Sequence, residues 1–169
     1  GHIYFEYTIP RMGRRIDVVL LLDGVVLLLE FKAFNEQYTK ADIAQVWDYA
    51  LDLKNFHEQS HNRPIVPILV ATEAVYATSD FIPFDDKVFY PILTNREQLA
   101  STIAEALLFC DTDSSEGDAL WAISRYSPTP TIIEAASALY NNHSVEDISR
   151  SDASAENLTT TCSFISSVI

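Results

Sequence analysis

The most apolar run of the chain lies between residues 18 and 29, where VVLLLDGVVLLL is interrupted only by Asp23-Gly24. Asp-Gly favours a two-residue hairpin turn, because both central residues of such a turn need positive φ. We therefore predict two strands over residues 15–31. Both strands are apolar on both faces, which indicates the buried centre of a sheet. The run is too short and too interrupted to span a bilayer.

Three further strands are predicted from short apolar or alternating runs at residues 3–9, 65–72 and 88–93. The segment 73–87 between the last two carries Pro83 and several acids, which is typical of a surface loop. Together with the hairpin, these strands are expected to form one central sheet.

Two helices are predicted from apolar stripes with helical spacing. The first begins at Thr39, whose side chain is an N-cap with Asp42 three residues later. The second is capped by Asn95 with Gln98 and runs to about residue 109. The stripes are Ile43, Val46, Trp47, Ala50 and Leu53 in the first helix, and Leu99, Ile103, Ala106 and Leu107 in the second. The order of elements predicts an α/β sandwich with a mixed sheet flanked by helices.

The character of the chain changes after Cys110. DTDSSEGD is a polar hinge, SPTPT is a stiff connector, and three short helical patterns follow at 119–125, 131–141 and 154–169. We therefore divide the chain into a domain over residues 1–110 and a helical appendage or linker over 111–169.

Charged residues bracket the hairpin. If the turn is Asp23-Gly24, cross-strand partners have numbers that sum to 47, so Asp17 faces Glu30 and Arg15 faces Lys32, all on one face of the sheet. Opposed acids with Cβ atoms about 5 Å apart destabilise a sheet unless positive charge lies between them. Two carboxylates and the Phe31 main-chain carbonyl suit Mg²⁺ or Mn²⁺. The sequence therefore predicts a metal site at Asp17, Glu30 and Phe31.

Other residues around this point suit phosphodiester hydrolysis. Lys32 is placed to orient the attacking water and to stabilise charge that develops on phosphorus. Gln45 and Tyr49, four residues apart on the first helix, are candidates to hold a substrate phosphate or the water. The alternative is that the hairpin charges form solvated salt bridges, Arg15 with Glu30 and Lys32 with Asp17. Arg15 is a further candidate for substrate binding, and Glu6 and Asp48 are weaker candidates for the site.

The net charge of −13 over 169 residues excludes a protein that coats nucleic acid by charge alone. It leaves open an enzyme that meets phosphates through a cation. Cys110 and Cys162 lie far apart without metal-site spacing, which indicates reduced thiols. No signal-peptide pattern occurs at the start of the chain. We therefore expect a cytoplasmic protein without a membrane segment.

Asp17, a gap of twelve residues, Glu30-Phe31-Lys32, and then Gln45 and Tyr49 on the next helix resemble the PD-(D/E)XK nuclease superfamily. The longer runs FEYTIPRMGRRIDVVLLLDGVVLLLEFK and QVWDYALDLKNFH are similar to the amino-terminal region of schlafen-group DNA/RNA helicases. The similarity covers about residues 3–169, including SPTPTIIEAASALY. The residue before Asp17 is Ile16, whereas the superfamily motif has proline there.

This resemblance implies a restriction-endonuclease-like fold and a Mg²⁺- or Mn²⁺-dependent nuclease acting on DNA or RNA. Asp17 and Glu30 would bind metal, Lys32 would be the catalytic lysine, and Gln45 and Tyr49 would complete the site. It also implies a superfamily 1 ATPase domain in the full-length protein. This chain contains no GxxxxGK, so the ATPase is expected in sequence outside it. A homodimer is compatible with the fold. The alternative function is a module that keeps the nuclease fold to bind nucleic acid or a partner but cuts weakly or not at all.

A second motif, His57-Glu58-Gln59-Ser60-His61, fits the HExxH pattern of zinc hydrolases. Pro64 ends the predicted helix soon after His61, and neither His2 nor His143 lies in a motif that would supply a third ligand. A zinc hydrolase is therefore the remote alternative, against capping or surface histidines.

Overall fold

A computed structural model of the chain describes residues 1–9, 14–75, 81–110, 112 and 118–126. These residues belong to one compact unit, Gly1–Tyr126. The helical patterns predicted at 131–141 and 154–169 lie outside the described residues. Within the described part, no helix is both long and apolar enough to cross a membrane.

Five strands of the described chain form one mixed sheet, and their order in space follows their order in sequence. The first pair and the second pair of neighbouring strands are antiparallel. The third strand is parallel to the fourth, and the fourth is parallel to the fifth. A parallel pair needs a crossover connection, and the first helix provides it between the third and fourth strands. The elements are β1 (His2–Ile9), β2 (Arg14–Leu22), β3 (Val25–Lys32), α1 (Lys40–Phe56), β4 (Ile65–Ala71), β5 (Ile92–Thr94), α2 (Leu99–Cys110) and α3 (Asp118–Trp121).

The hairpin of β2 and β3 has the predicted turn. Asp23 and Gly24 have φ of 49° and 80°, and both values are positive, as this two-residue turn requires. Leu22 pairs with Val25 directly across it, so the predicted register is confirmed.

Helices α1 and α2 pack on opposite faces of the sheet. Val26 and Leu28 of β3 belong to the same core cluster as Leu53 of α1. Leu27, on the other face of β3, belongs to the cluster that contains Ala106 of α2. Leu27 and Leu28 are both fully buried, and each contributes about 1.5–3 kcal/mol of hydrophobic stabilisation. The α/β class predicted from the sequence is therefore confirmed, with β3 at the centre of the core.

Both helix starts follow the predicted capping residues. The Thr39 hydroxyl accepts a hydrogen bond from the Asp42 N–H at 3.1 Å. The Asn95 side chain accepts from the N–H groups of Glu97 and Gln98 at 3.1 and 2.9 Å. The Thr39 bond satisfies a main-chain donor that α1 leaves unpaired in its first turn. The Asn95 bonds close the turn over residues 96–98, and α2 begins directly after it at Leu99.

The fifth strand is shorter than predicted. Residues 88–93 were expected to be continuous, but β5 comprises only Ile92–Thr94, and Val88 makes an isolated bridge to Ile65. Pro91 lies between these two segments and has no N–H to donate, so it interrupts the ladder.

Residues 118–126, which follow the polar hinge, pack against strand β1 of the sheet. Trp121 at the end of α3 is completely buried and contacts the rings of Tyr4 and Tyr7 on β1. Helix α3 has four residues, fewer than the seven-residue pattern predicted there. The division at residue 110 remains a prediction, but residues 118–126 share a core with β1.

Candidate active site

Strands β2 and β3 separate next to the predicted acids. The last pair of their ladder is Val18 with Leu29, and beyond it the Phe31 N–H donates to Asp17 Oδ2 at 2.8 Å instead of to a strand. The N–H and C=O of one strand residue point to the same side. The Phe31 carbonyl therefore faces the same gap as the Asp17 carboxylate.

The ladder between β1 and β2 is also interrupted at this level. Phe5 pairs with Val18 and Tyr7 with Ile16, but the two residues between them, Glu6 and Asp17, are skipped. Glu6 has a φ of 52°, a rare conformation for a residue with a side chain. Asp17 is therefore a β2 residue that pairs neither with β1 nor with β3 in the ladder.

Glu30 is a buried carboxylate with two different oxygens. Its side chain is 6% exposed, and Oε1 accepts hydrogen bonds from Lys32 Nζ at 3.0 Å and from Gln45 Nε2 at 2.8 Å. Oε2 has no hydrogen-bond partner among the described residues. The Asp17 main-chain N–H lies near the carboxylate, although no bond of ordinary geometry reaches Oε2.

Burial raises the pKa of Glu30, and the negative charge of Asp17 raises it further, whereas the hydrogen bond from Lys32 opposes the shift. An unpaired carboxylate oxygen in a buried position is costly. A cation next to Oε2 and Asp17 would remove that cost and lower the pKa again.

Lys32 holds its ammonium group among three acceptors. It donates to Glu30 Oε1 and to Gln45 Oε1, each at 3.0 Å, and lies 3.4 Å from Asp42 Oδ1. Burial alone would lower the pKa of Lys32, but the bond and charge of Glu30, with Asp42, raise it. Lys32 is therefore a protonated donor and not a general base.

Gln45 and Tyr49 lie on the face of α1 that meets β3. Gln45 Nε2 also donates to the Tyr49 hydroxyl at 2.8 Å. The other amide atom, Oε1, accepts from Lys32, so both bonds support the same orientation of the Gln45 amide. Gln45 thus holds Glu30, Lys32 and Tyr49 in one network. The structure brings four of the predicted site residues together through these bonds.

Asp42 is a site residue that the sequence suggested only as part of a helix cap. Its Oδ2 accepts from the Thr39 hydroxyl at 2.6 Å, while Oδ1 faces Lys32. Burial raises the pKa of Asp42, but the Thr39 hydrogen bond and the Lys32 charge outweigh it and lower the pKa overall. The spacing of residues 42, 45 and 49 along one helix face was the signal available in the sequence.

The other candidates lie in ion pairs of their own. Arg15 pairs with Glu6 on β1, and Asp48 lies 3.5 Å from Arg14. Because the β2–β3 ladder ends at Val18, Arg15 and Lys32 do not pair across it. The salt bridges weighed as an alternative, Arg15 with Glu30 and Lys32 with Asp17, are replaced by Arg15–Glu6 and Lys32–Glu30.

The donors at the gap fit a hard divalent cation in type. Carboxylate oxygens of Asp17 and Glu30 and the Phe31 carbonyl are the ligands that Mg²⁺ and Mn²⁺ prefer, and Mg²⁺ commonly takes one or two carboxylates and completes its shell with water. No cluster of three or more His, Cys, Asp or Glu side chains suited to a metal occurs among the described residues. The free Glu30 Oε2 is the observation that favours a cation here.

The HExxH residues have a different arrangement from a zinc site. Helix α1 ends at Phe56, and a 3₁₀ turn (Glu58–Ser60) follows. His57 is fully buried, with Nδ1 2.8 Å from the Ser60 hydroxyl and Nε2 3.0 Å from the Trp121 carbonyl. A carbonyl only accepts, so Nε2 carries the proton and both ring nitrogens are engaged. His57 therefore connects α1 to α3, and it is neither a surface residue nor free to bind zinc in this arrangement.

We expect His57 to make the unfolding free energy depend on pH. Burial lowers the pKa of His57 to about 4, below its value near 6.5 in an unfolded chain. Between these values the unfolded state binds more protons, so stability rises with pH and is lost as pH falls. The loss should approach roughly 3 kcal/mol between pH 6.5 and pH 4.

Urea unfolding of the parent and of His57→Gln across this range checks the prediction. The variant should be less stable at neutral pH and should show a shallower slope, and His2→Gln, at an exposed position, should keep the parental slope. Equal slopes for parent and His57→Gln would contradict it.

Comparisons with known proteins add no assignment. The chain matches no family model, and no curated protein or solved structure shows significant similarity to it.

Proposed function

We propose that the chain contains a metal-dependent nuclease domain that hydrolyses phosphodiester bonds in DNA or RNA. The observation that carries the proposal is the Glu30 carboxylate. One oxygen is fixed by Lys32 and Gln45, while the other is buried without a partner beside Asp17. Acids that bind metal next to a protonated lysine are the groups that this reaction needs.

Asp17, Glu30 and the Phe31 carbonyl would hold Mg²⁺ or Mn²⁺. When bound, the cation supplies positive charge that polarises the phosphoryl group. Lys32 donates from Nζ to oxygen on which negative charge develops, and Gln45 and Asp42 keep that ammonium in place. Gln45 also fixes Glu30 and Tyr49, so the helix face aligns the site before substrate arrives.

The resemblance to the PD-(D/E)XK superfamily and to schlafen-group helicases supports the same reaction. In this proposal the α/β unit is a restriction-endonuclease-like domain, and a superfamily 1 ATPase belongs to the full-length protein. The proposal includes a cytoplasmic location, and the fold that the resemblance implies is compatible with pairing into a homodimer.

A nuclease-fold module that binds without cutting is the second candidate. Lys32 is already bonded to Glu30 and Gln45 and lies close to Asp42, so a substrate phosphate must compete with these acceptors. The net charge of −13 opposes contact with nucleic acid, so a partner protein is the other ligand that such a module would bind. Binding of nucleic acid with no cleavage in Mg²⁺ or Mn²⁺ would favour this candidate.

The test combines metal binding with cleavage. The chain is incubated with single- and double-stranded DNA and RNA in Mg²⁺ or Mn²⁺, beside Asp17→Asn. We expect the parent to cut at least one substrate, and Asp17→Asn to bind Mn²⁺ at least about tenfold more weakly in calorimetry and to lose cleavage.

Asp85→Asn is the matched control, because Asp85 is an exposed acid outside the site. It should bind Mn²⁺ and cut as the parent does. Calorimetry that detects no Mn²⁺ binding by the parent, or equal binding by Asp17→Asn, would refute the metal site.

A further inference from the structure

Phe34 lies two residues after Lys32 and combines an unfavourable backbone with a free aromatic ring. Its φ is 63°, in the region that favours glycine, and its side chain is 86% exposed. An exposed phenylalanine contributes no burial to offset this conformation. Backbone strain of this kind persists where neighbouring structure enforces it, and it is concentrated at functional sites.

The backbone around Phe34 is held by three hydrogen bonds. The Phe34 N–H donates to the Thr72 hydroxyl at 2.8 Å, and the Asn35 N–H donates to the Lys32 carbonyl at 3.3 Å. The Asn35 carbonyl in turn accepts from the Glu73 N–H at 3.0 Å. The turn after β3 is thus fastened to the turn after β4, and the ring is presented from a fixed backbone.

The turns after β3, β4 and β5 form one surface, which we name the carboxyl edge and define by Phe34, Val75 and Arg96. Lys32 pairs with Ala71 and Val70 with Thr94, so the three parallel strands end side by side, about 5 Å from strand to strand. The Asn95 side chain donates to the Ala74 carbonyl at 2.9 Å, which fastens the third turn to the second. Ligands of open α/β sheets bind at this edge.

The carboxyl edge has apolar and cationic groups that face solvent. Phe34 and Val75 are 86% and 96% exposed, and the Arg96 side chain is 65% exposed in a pair with Glu73 at 3.4 Å. An exposed pair of this kind contributes little energy, so a phosphate can compete for Arg96. The carboxyl edge thus carries an exposed aromatic ring two residues after Lys32 and an exposed arginine, and aromatic and cationic groups together are the combination that binds single-stranded nucleic acid.

We propose that Phe34 stacks on a base of single-stranded DNA or RNA that lies along the carboxyl edge. This inference rests on the proposed nuclease function, because it takes Lys32 as the point where the backbone is cut. A base inside a duplex has both faces covered, so the platform selects single strands or splayed ends.

The test measures how tightly the full chain binds labelled oligonucleotides, by the fluorescence anisotropy of the label. EDTA removes divalent cations, so that no probe is cleaved during the measurement. The probes are oligo(dT), oligo(U), an abasic oligonucleotide of the same length and a blunt duplex. Phe34→Ala should bind the single strands about tenfold more weakly and the abasic strand as the parent does. Phe34→Tyr should retain binding, and Phe5→Ala should match the parent, because Phe5 is a 68% exposed aromatic on β1.

Thermal unfolding separates this role from a structural one. Phe34→Gly should melt no lower than Phe34→Ala, because glycine accepts the positive φ, while both lose base binding. Equal binding of single strands by parent and Phe34→Ala, no binding by the parent, or an equal loss for the abasic strand would overturn the proposal. So would parental self-association that Phe34→Ala abolishes without any change in anisotropy, since the ring would then cover a second copy of the chain.

Cleavage in Mn²⁺ distinguishes this proposal from the proposed nuclease. Cutting of single strands that is unaffected by Phe34→Ala would refute the stacking platform and leave the nuclease intact. Binding that depends on Phe34, without cleavage by the parent, would support the platform and refute the nuclease.

Discussion

Replacing Lys32 by alanine should lower the rate of phosphodiester cleavage by about 10²–10³-fold in a single-turnover assay with Mn²⁺. The loss is expected because Lys32 is the protonated donor beside Glu30, and no other described cation bonds that carboxylate. The Lys32 side chain is partly exposed, so water can take the place of the ammonium beside Glu30 when the side chain is removed. The variant should therefore fold and should retain its α/β circular-dichroism spectrum.

The matched control for this change is Lys87→Ala. Lys87 is an exposed lysine in the segment between β4 and β5, and its removal changes the net charge by the same amount. Its cleavage rate should equal that of the parent. A Lys32→Ala preparation that cuts as fast as the parent would exclude Lys32 from catalysis and would point to a contaminating nuclease as the source of cleavage.

The hairpin was predictable because its determinants are local. Asp23-Gly24 specifies a two-residue turn, and that turn fixes the register of every pair behind it. The opposition of Asp17 and Glu30 then followed by counting, without any knowledge of the rest of the fold. Counting residues from the turn does not predict that the ladder stops at Val18. Nor does it predict that the Phe31 N–H donates to the Asp17 side chain instead of to the main chain of a strand.

The network around Lys32 was less accessible from sequence. Gln45 and Tyr49 were singled out by their spacing, but the partners of Gln45 depend on how α1 lies across β3, which no local pattern specifies. The sequence suggested that Gln45 contacts substrate, whereas in the structure its amide is bonded to Glu30, Lys32 and Tyr49. Asp42 was assigned to the helix cap for the same reason.

The HExxH run is the case in which a local motif predicts the structure least well. Its letters suggest a zinc pair, but the fate of His57 is decided by Trp121, sixty-four residues later in the chain. A contact of that sequence separation is specified by the complete core and not by a motif. The same contact explains why the segment after the polar hinge, which sequence alone placed in an appendage, shares the core of β1.

Replacing Trp121 by alanine should lower the free energy of unfolding by about 3–5 kcal/mol, as removal of a large buried aromatic side chain does. The Trp121 ring is fully buried and lies 4.4 Å from the His57 ring between centroids. Its Nε1–H donates to the Ser60 hydroxyl at 2.9 Å. The substitution therefore opens a cavity and removes the donor to a buried hydroxyl, and urea unfolding measures the sum of the two effects.

Leu120→Ala is the control, because its side chain is the neighbour of Trp121 in α3 but is 57% exposed, and its removal should change stability by less than about 0.5 kcal/mol. Trp121→Phe should be intermediate, since it fills part of the cavity but leaves Ser60 without this donor. If Trp121→Ala unfolds at the parental urea concentration, residues 118–126 contribute no stability to the sheet unit and His57 has no anchored partner. If the loss is full, this distant segment stabilises the unit that holds the candidate site, because helix α1 carries Gln45 toward Glu30 and ends at Phe56, next to the histidine that bonds the Trp121 carbonyl.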